Sequence, residues 1–120
     1  MKPRIDNTSF GNITIDGETF QHDILIRLNG EVIKRKKKLS KKYFQTSHII
    51  SIEEAEYIYE EGAEKLLIGS GQTGMLRLSD DAAEFFNKKN CLVEFFPTGK
   101  AIEKWNEEKN KVIGLFHITC

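Results

Sequence analysis

The feature that most constrains this chain is the order of its apolar patterns after residue 50, where short apolar runs alternate with stretches of helical period. Lys65 to Gly69 reads KLLIG, a buried strand between a polar flank and a glycine loop. Cys91 to Phe96 (CLVEFF) is a second strand, stopped by Pro97, and Val112 to Ile118 (VIGLFHI) is a third. Between and before them lie three amphipathic helices. Ser51-Ile52-Glu53-Glu54 predicts a capping box, in which the serine hydroxyl accepts from a free backbone N–H and Glu54 reaches back to the serine N–H. Behind it Ile52, Ala55, Ile58 and Tyr59 share a face, and Gly62 is expected to end the helix. Ser79 caps a second helix with Ala82, Phe85 and Phe86 inward and Asn90 closing it. Thr98 is placed as the cap of a third, carrying Ala101, Ile102 and Trp105.

Each such helix must lay its apolar stripe on a sheet face, so the fold class is α/β. Strands joined through helices are expected to run parallel with right-handed crossovers. The first third reads differently. Ile13 and Ile15 alternate with polar residues before Asp16-Gly17. Phe20 to Leu28 forms a second strand that stops at Asn29-Gly30, and Val32 and Ile33 start the return. This predicts an N-terminal antiparallel β-ribbon attached to a mixed central sheet, in a single three-layer domain spanning residues 1–120 with about three helices. The 120-residue length suits one domain.

Composition enters mainly by exclusion. Apolar content of 39% with eight Phe and two Pro argues against disorder. No apolar run approaches the ~18 residues of a membrane helix. The opening MKPRIDNTSF lacks the apolar middle of a signal peptide. Two cysteines, Cys91 and Cys120, are too few for a disulfide scaffold and read as reduced thiols. A soluble, cytoplasmic protein without a membrane partner is expected. Formal net charge is zero, but unevenly distributed: residues 1–48 hold 10 basic and 5 acidic side chains, and residues 49–120 hold 8 and 13. Much of the basic excess is the run Lys34-Arg35-Lys36-Lys37-Lys38-Leu39-Ser40-Lys41-Lys42. It reads first as a solvated strand end and loop whose lysines block edge pairing, and second as an electrostatic partner contact. Nucleic acid ranks last, because no aromatics interleave until Tyr43-Phe44 and no global basic field exists.

Gly69-Ser70-Gly71-Gln72-Thr73-Gly74 fits G-x-G-x-x-G letter for letter. A dinucleotide site needs those glycines to open into a helix, whereas Met75-Leu76-Arg77-Leu78 alternates like a strand. A structural loop is the simpler reading. The alternative is a polar or anionic small ligand: if the strands at 66–69 and 92–96 are parallel neighbours, the loop and the helix start at Thr98 flank one crevice. Its candidate ligand-binding residues are Gly69, Ser70, Gly71, Gln72, Thr98 and Gly99. No cofactor or metal is expected: His22, His48 and His117 have no ligand spacing with each other or with the cysteines. No catalytic residue is assigned. His117 and Cys120 would point to opposite faces of a strand, and Ser70 lacks the strand–turn–helix setting of a nucleophile elbow.

Taken together, Lys65-Leu66-Leu67-Ile68-Gly69-Ser70-Gly71, Pro97-Thr98-Gly99-Lys100-Ala101 with Trp105-Asn106, and the tail Gly114-Leu115-Phe116-His117-Ile118-Thr119-Cys120 resemble the Mth-type domain family. Its relatives include the adipogenesis-associated Mth-domain protein and a mitochondrial complex I assembly factor. The resemblance covers nearly the whole chain from the Ile13 strand onward. It implies a three-layer α/β domain with a mixed sheet, and it carries over no catalytic residue. The expected function is therefore a non-enzymatic interaction or assembly-type module, with a protein partner or a small polar or anionic ligand in the crevice. The alternative is an enzyme or cofactor-binding protein using the Gly69–Gly74 loop and the Thr98 helix start. Whether the chain is an enzyme is left open, as is a homodimer through an edge strand of the ribbon.

Overall fold

The computed structural model describes residues 2–46 and 48–119. Its strands are β1 (Ile5–Ser9), β2 (Asn12–Ile15), β3 (Glu18–Phe20), β4 (Ile24–Ile26), β5 (Val32–Lys34), β6 (Ile49–Ile50), β7 (Lys65–Ser70), β8 (Arg77–Leu78), β9 (Leu92–Phe96) and β10 (Val112–His117). The helices are α1 (Lys38–Phe44), α2 (Ile52–Ile58), α3 (Asp80–Lys88) and α4 (Thr98–Glu107). A five-stranded sheet in the order β5-β4-β10-β7-β9 forms the centre. In it β7 is parallel to both β9 and β10, while β4 is antiparallel to β10 and β5. The strands β1, β2 and β3 make a separate antiparallel sheet, and β6 pairs parallel with β8.

Period-two alternation sorts the central strands onto two cores. Leu66, Ile68, Ile113, Leu115 and Leu25 pack with Ala55 and Ile58 of α2 and Ala82 and Phe86 of α3. Leu67, Val112, Phe116, Ile24 and Ile26 pack with Ala101 and Trp105 of α4 and with Ile5, Ile13 and Ile15 of the three-stranded sheet. The second core forces close approaches that only glycine permits. A Cβ on Gly114 would lie 2.7 Å from the Trp105 ring and 2.6 Å from the Phe116 ring. Asn106 fastens α4 to β1 by accepting from the Ile5 N–H at 3.0 Å and donating to its carbonyl at 2.8 Å.

Several expectations are corrected here. The described residues form four helices, not about three, because α1 takes up the later part of the lysine run, where a strand end and loop were expected. The N-terminal ribbon divides. Its predicted second strand breaks at Gln21–Asp23, where the Asp23 carboxylate turns inward to accept from Ile118 N–H, and β4–β5 joins the central sheet as an antiparallel hairpin. Helix α2 ends before Gly62: Tyr59 is already extended, and the chain leaves to bring the Glu60 carboxylate onto the Leu28 N–H at 2.9 Å. In the predicted capping box, Ser51 does accept from the Glu54 N–H at 3.1 Å, but the Ser51 N–H donates to the Ser40 hydroxyl. Glu54 has a different task, described below.

Candidate functional site

The glycine loop follows β7 directly, and Gly71 (φ +106°) makes the turn in a conformation that a side chain would strain. Four residues of turn lead into β8, and α3 begins only at Asp80, so the glycines do not open into a helix. Because β7 and β9 are parallel neighbours, the loop and the start of α4 do come together, as the sequence implied. They meet by direct hydrogen bonds. The Gly71 N–H donates to the Thr98 hydroxyl at 2.9 Å, and the Thr98 N–H donates to the Gly71 carbonyl at 2.9 Å. The Thr98 hydroxyl in turn donates to the His117 carbonyl at 2.6 Å. Thr98 is thus the first helical residue rather than the cap, which is Pro97. Ser70 donates to the Phe96 carbonyl at 3.0 Å, and Gln72 spends its N–H on the Thr119 carbonyl and its amide on Thr8. Gly69 lies against Thr98 and Phe116, with no space for a Cβ. Gly99 is the candidate left open to approach.

The order β9-β7-β10 places the topological switch between β7 and β10, where α3 leaves towards one face and α4 returns over the other. The C-terminal ends of those strands are Ser70 and His117, paired in register. His117 there belongs to a buried polar network that the sequence reading did not find. Asp23, Arg35, Ser40, Ser51, Glu54 and His117 are all buried. Arg35 bridges two carboxylates: Nε and Nη2 donate to Glu54 at 2.7 and 3.0 Å, and Nη1 donates to Asp23 at 3.0 Å. Ser40 also donates to Glu54, which joins α1 to α2. His117 Nδ1 lies 2.7 Å from Asp23 Oδ2. Burial would push the Asp23 carboxyl up, but the bonds from His117 and Ile118 and the charge of Arg35 outweigh it and hold it at about 2.

An ionised carboxylate only accepts, so His117 carries its proton on Nδ1 and turns Nε2 towards the Thr119 hydroxyl, 3.4 Å away. The His48 ring stands edge-on at 5.4 Å. This is an oriented histidine, but inside a closed interior: among the described residues every buried side-chain nitrogen and oxygen has a hydrogen-bond partner. Asp23, behind Gln21-His22, and Glu54, between Glu53 and Glu56, sit among polar neighbours, so neither carried a local signal. Arg35 carried none either, being camouflaged among lysines.

The described residues contain no group of three or more His, Cys, Asp and Glu placed to hold a metal. Cys91 is a free, buried thiol, pushed up to about 11 by burial, and the residues at 1, 47 and 120, including the Cys120 considered with His117, lie outside the described set. No helix among the described residues is long and apolar enough to cross a membrane.

The surface offers a clearer opening. β9 is an edge of the central sheet, with Leu92 57% and Phe95 40% exposed. Its one charged residue, Glu94, is paired with Lys65 at 3.1 Å. Beside it a groove of about 490 Å³ is lined by Leu78, Phe86, Val93 and Phe95, with Asn87 and Asn90 at its polar side.

Known proteins of similar structure match this architecture from end to end. A conserved hypothetical protein of Pyrococcus horikoshii, PH1505, superposes with a TM-score of 0.88 at 34% identity, covering 98% of this chain and 99% of that one. The protein MT938 gives 0.82 at 31% identity over 99% and 100%. A Bordetella pertussis protein described as a Mth938-like domain shares the fold at 0.62 and 17% identity, over 97% and 85%. The family described as protein of unknown function DUF498/DUF598 matches residues 5–117. With that span matched, and relatives above 30% identity over their full length, the chain belongs to the DUF498/DUF598 family of Mth-type domains.

Proposed function

We propose that this domain is a non-enzymatic interaction module that receives an extended protein segment along β9. The observation that carries the reading is the open edge of that strand. An unpaired edge presents a row of backbone donors and acceptors, and proteins usually blunt it with lysine, proline or a bulge. The opposite edge, β5, is followed by the lysine run. β9 carries no lysine, and it exposes Leu92 and Phe95 next to an apolar groove. Backbone pairing would supply affinity, and side chains seated in the groove would supply selectivity. The closed polar interior supports a binding rather than a catalytic role, because its histidine has no open route to a substrate. A reduced, buried Cys91 suits the cytoplasmic setting expected above.

The test is selection of extended peptides from a displayed library against the wild-type domain and Phe95→Lys. Enrichment of segments with alternating apolar residues, lost in the variant, is the expected result. No enrichment, or equal enrichment on both proteins, overturns the reading. A thermal-shift screen with nucleotides, phosphates and carboxylic acids addresses the other possibility, a small anion at Gly71, Thr98 and Gly99. Such a ligand would have to displace the Gly71–Thr98 hydrogen bonds. Stabilisation by one compound, abolished in Gly99→Asp, would replace the module with a ligand-binding protein.

A further inference from the structure

We infer that the face built by β5 and α1 is a second docking surface, and that its partner is an acidic protein segment carrying an apolar anchor. Between Val32 and Ile52 the chain has seven basic residues and no Asp or Glu. The structure separates their roles. Arg35 is turned inside and neutralised by Asp23 and Glu54, and Lys42 pairs with Glu53 at 2.8 Å. Lys34, Lys36, Lys37, Lys38 and Lys41 have no ion pair among the described residues, and Lys36 rests its ammonium over the Tyr57 ring. A shallow hollow of about 420 Å³ is lined by the residues from Lys34 to Lys38.

Lys41 lies in the last turn of α1, where the dipole favours a cation, but the lysines at and ahead of its start do not serve the helix. Its first turn contains no acid, whereas the helix dipole favours acids there. Seven residues are also too few to hold a helix alone. Only Ser40 of α1 is fully buried, and its hydroxyl, the Arg35 anchor and the Ser51 bond to the Leu39 carbonyl fix the helix to α2. Lys38 and Lys41 therefore stand on a held helix, which lowers the ordering cost of binding.

Their neighbours select the partner class. Tyr43 is 56% and Phe44 39% exposed, and with Ile52, Ser51 and Asp81 they line a second hollow of about 250 Å³, suited to one apolar side chain. A nucleic acid is disfavoured here. The single arginine of the stretch is buried, so no guanidinium is free to grip phosphate, and Glu53 and Asp81 flank the aromatics on which a base would stack. Carboxylates along the lysines, with a leucine or phenylalanine between Tyr43 and Phe44, satisfy both halves of the surface.

The experiment is fluorescence anisotropy with three labelled probes: an Asp/Glu-rich peptide with one central leucine, a mixed-sequence single-stranded RNA, and vesicles containing phosphatidylserine. The peptide is expected to bind at low salt and to weaken roughly tenfold at moderate salt, as exposed charges do when screened. Lys34→Glu/Lys38→Glu/Lys41→Glu should abolish binding, and Phe44→Ala should weaken it severalfold. The neutral set Lys34→Gln/Lys38→Gln/Lys41→Gln should also lose binding, and serves if the reversed set is poorly folded. Absence of peptide binding at low salt, indifference to either set of variants, or tighter binding of RNA or vesicles overturns the inference. None of these substitutions touches β9, so failure here leaves the edge-strand reading to stand or fall on Phe95.

Discussion

Gly71 and Thr98 bond to each other twice, N–H to hydroxyl and N–H to carbonyl, each at 2.9 Å. The hydroxyl is the pivot, because it also donates to the carbonyl of His117 and so ties the ends of three structural elements together. Thr98→Val keeps the shape and removes both side-chain bonds, leaving a buried N–H and a buried carbonyl unpartnered. Stability should fall by about 2–4 kcal/mol, at roughly 1–3 kcal/mol for an orphaned buried group. Thr98→Ser, which keeps the hydroxyl, should lose less than about half of that. Urea unfolding followed by circular dichroism distinguishes the two.

The acid behaviour of the domain should report Asp23. Its folded carboxyl sits at about 2, below the ordinary 3.8, so the native state holds this proton less tightly than the unfolded chain does. The resulting stabilisation is fully present above about pH 4 and disappears as pH falls from about 4 towards 2. A shift of nearly two pH units corresponds to about 2 kcal/mol. Denaturant midpoints measured through this window should fall steadily for the wild type, and more shallowly for Asp23→Asn.

Removing Arg35 alone should be more damaging than removing it with a partner. Arg35→Leu leaves the Glu54 carboxylate only the Ser40 hydroxyl and Asp23 only His117 and the backbone, which for a broken buried pair costs about 3–5 kcal/mol. Arg35→Leu/Glu54→Leu replaces charge with hydrocarbon and should recover part of that loss. Thermal melts of the single and double variants give the comparison, and a double variant less stable than Arg35→Leu would contradict it.

Cys91 should be inert in the folded state. Its thiol is buried and pushed up to about 11, so little thiolate exists at about pH 8. Alkylation by iodoacetamide should be slow in buffer and fast in denaturant, with mass spectrometry assigning the modified cysteine.

The sequence disclosed the parallel part of the fold because β7, β9 and β10 are apolar runs bounded by clear stops, and because α3 and α4 show a helical stripe. It hid α1 for a physical reason. That helix buries a serine instead of a hydrophobic stripe, so no period marks it. The break after Phe20 was equally silent, since Asp23 leaves the ribbon to meet residues 12 and 94 positions further on. The glycine loop and Thr98 were correctly expected to be neighbours, because strand direction alone brings them together. Their mutual bonding depends on a hydroxyl's orientation, which spacing does not encode. The buried network escaped notice for the same reason: each of its charges is ordinary locally and becomes unusual only through a distant partner.

β10 comes after every other strand in chain order, yet it stands in the middle of the central sheet between β4 and β7. While the protein is being made, the two halves of the sheet therefore wait with their inner edges unmatched. The keystone follows both of the strands it joins, so closure of the central sheet should be a single event rather than a gradual one. A nascent chain stopped before Val112 would present two sticky margins to the cell's chaperones.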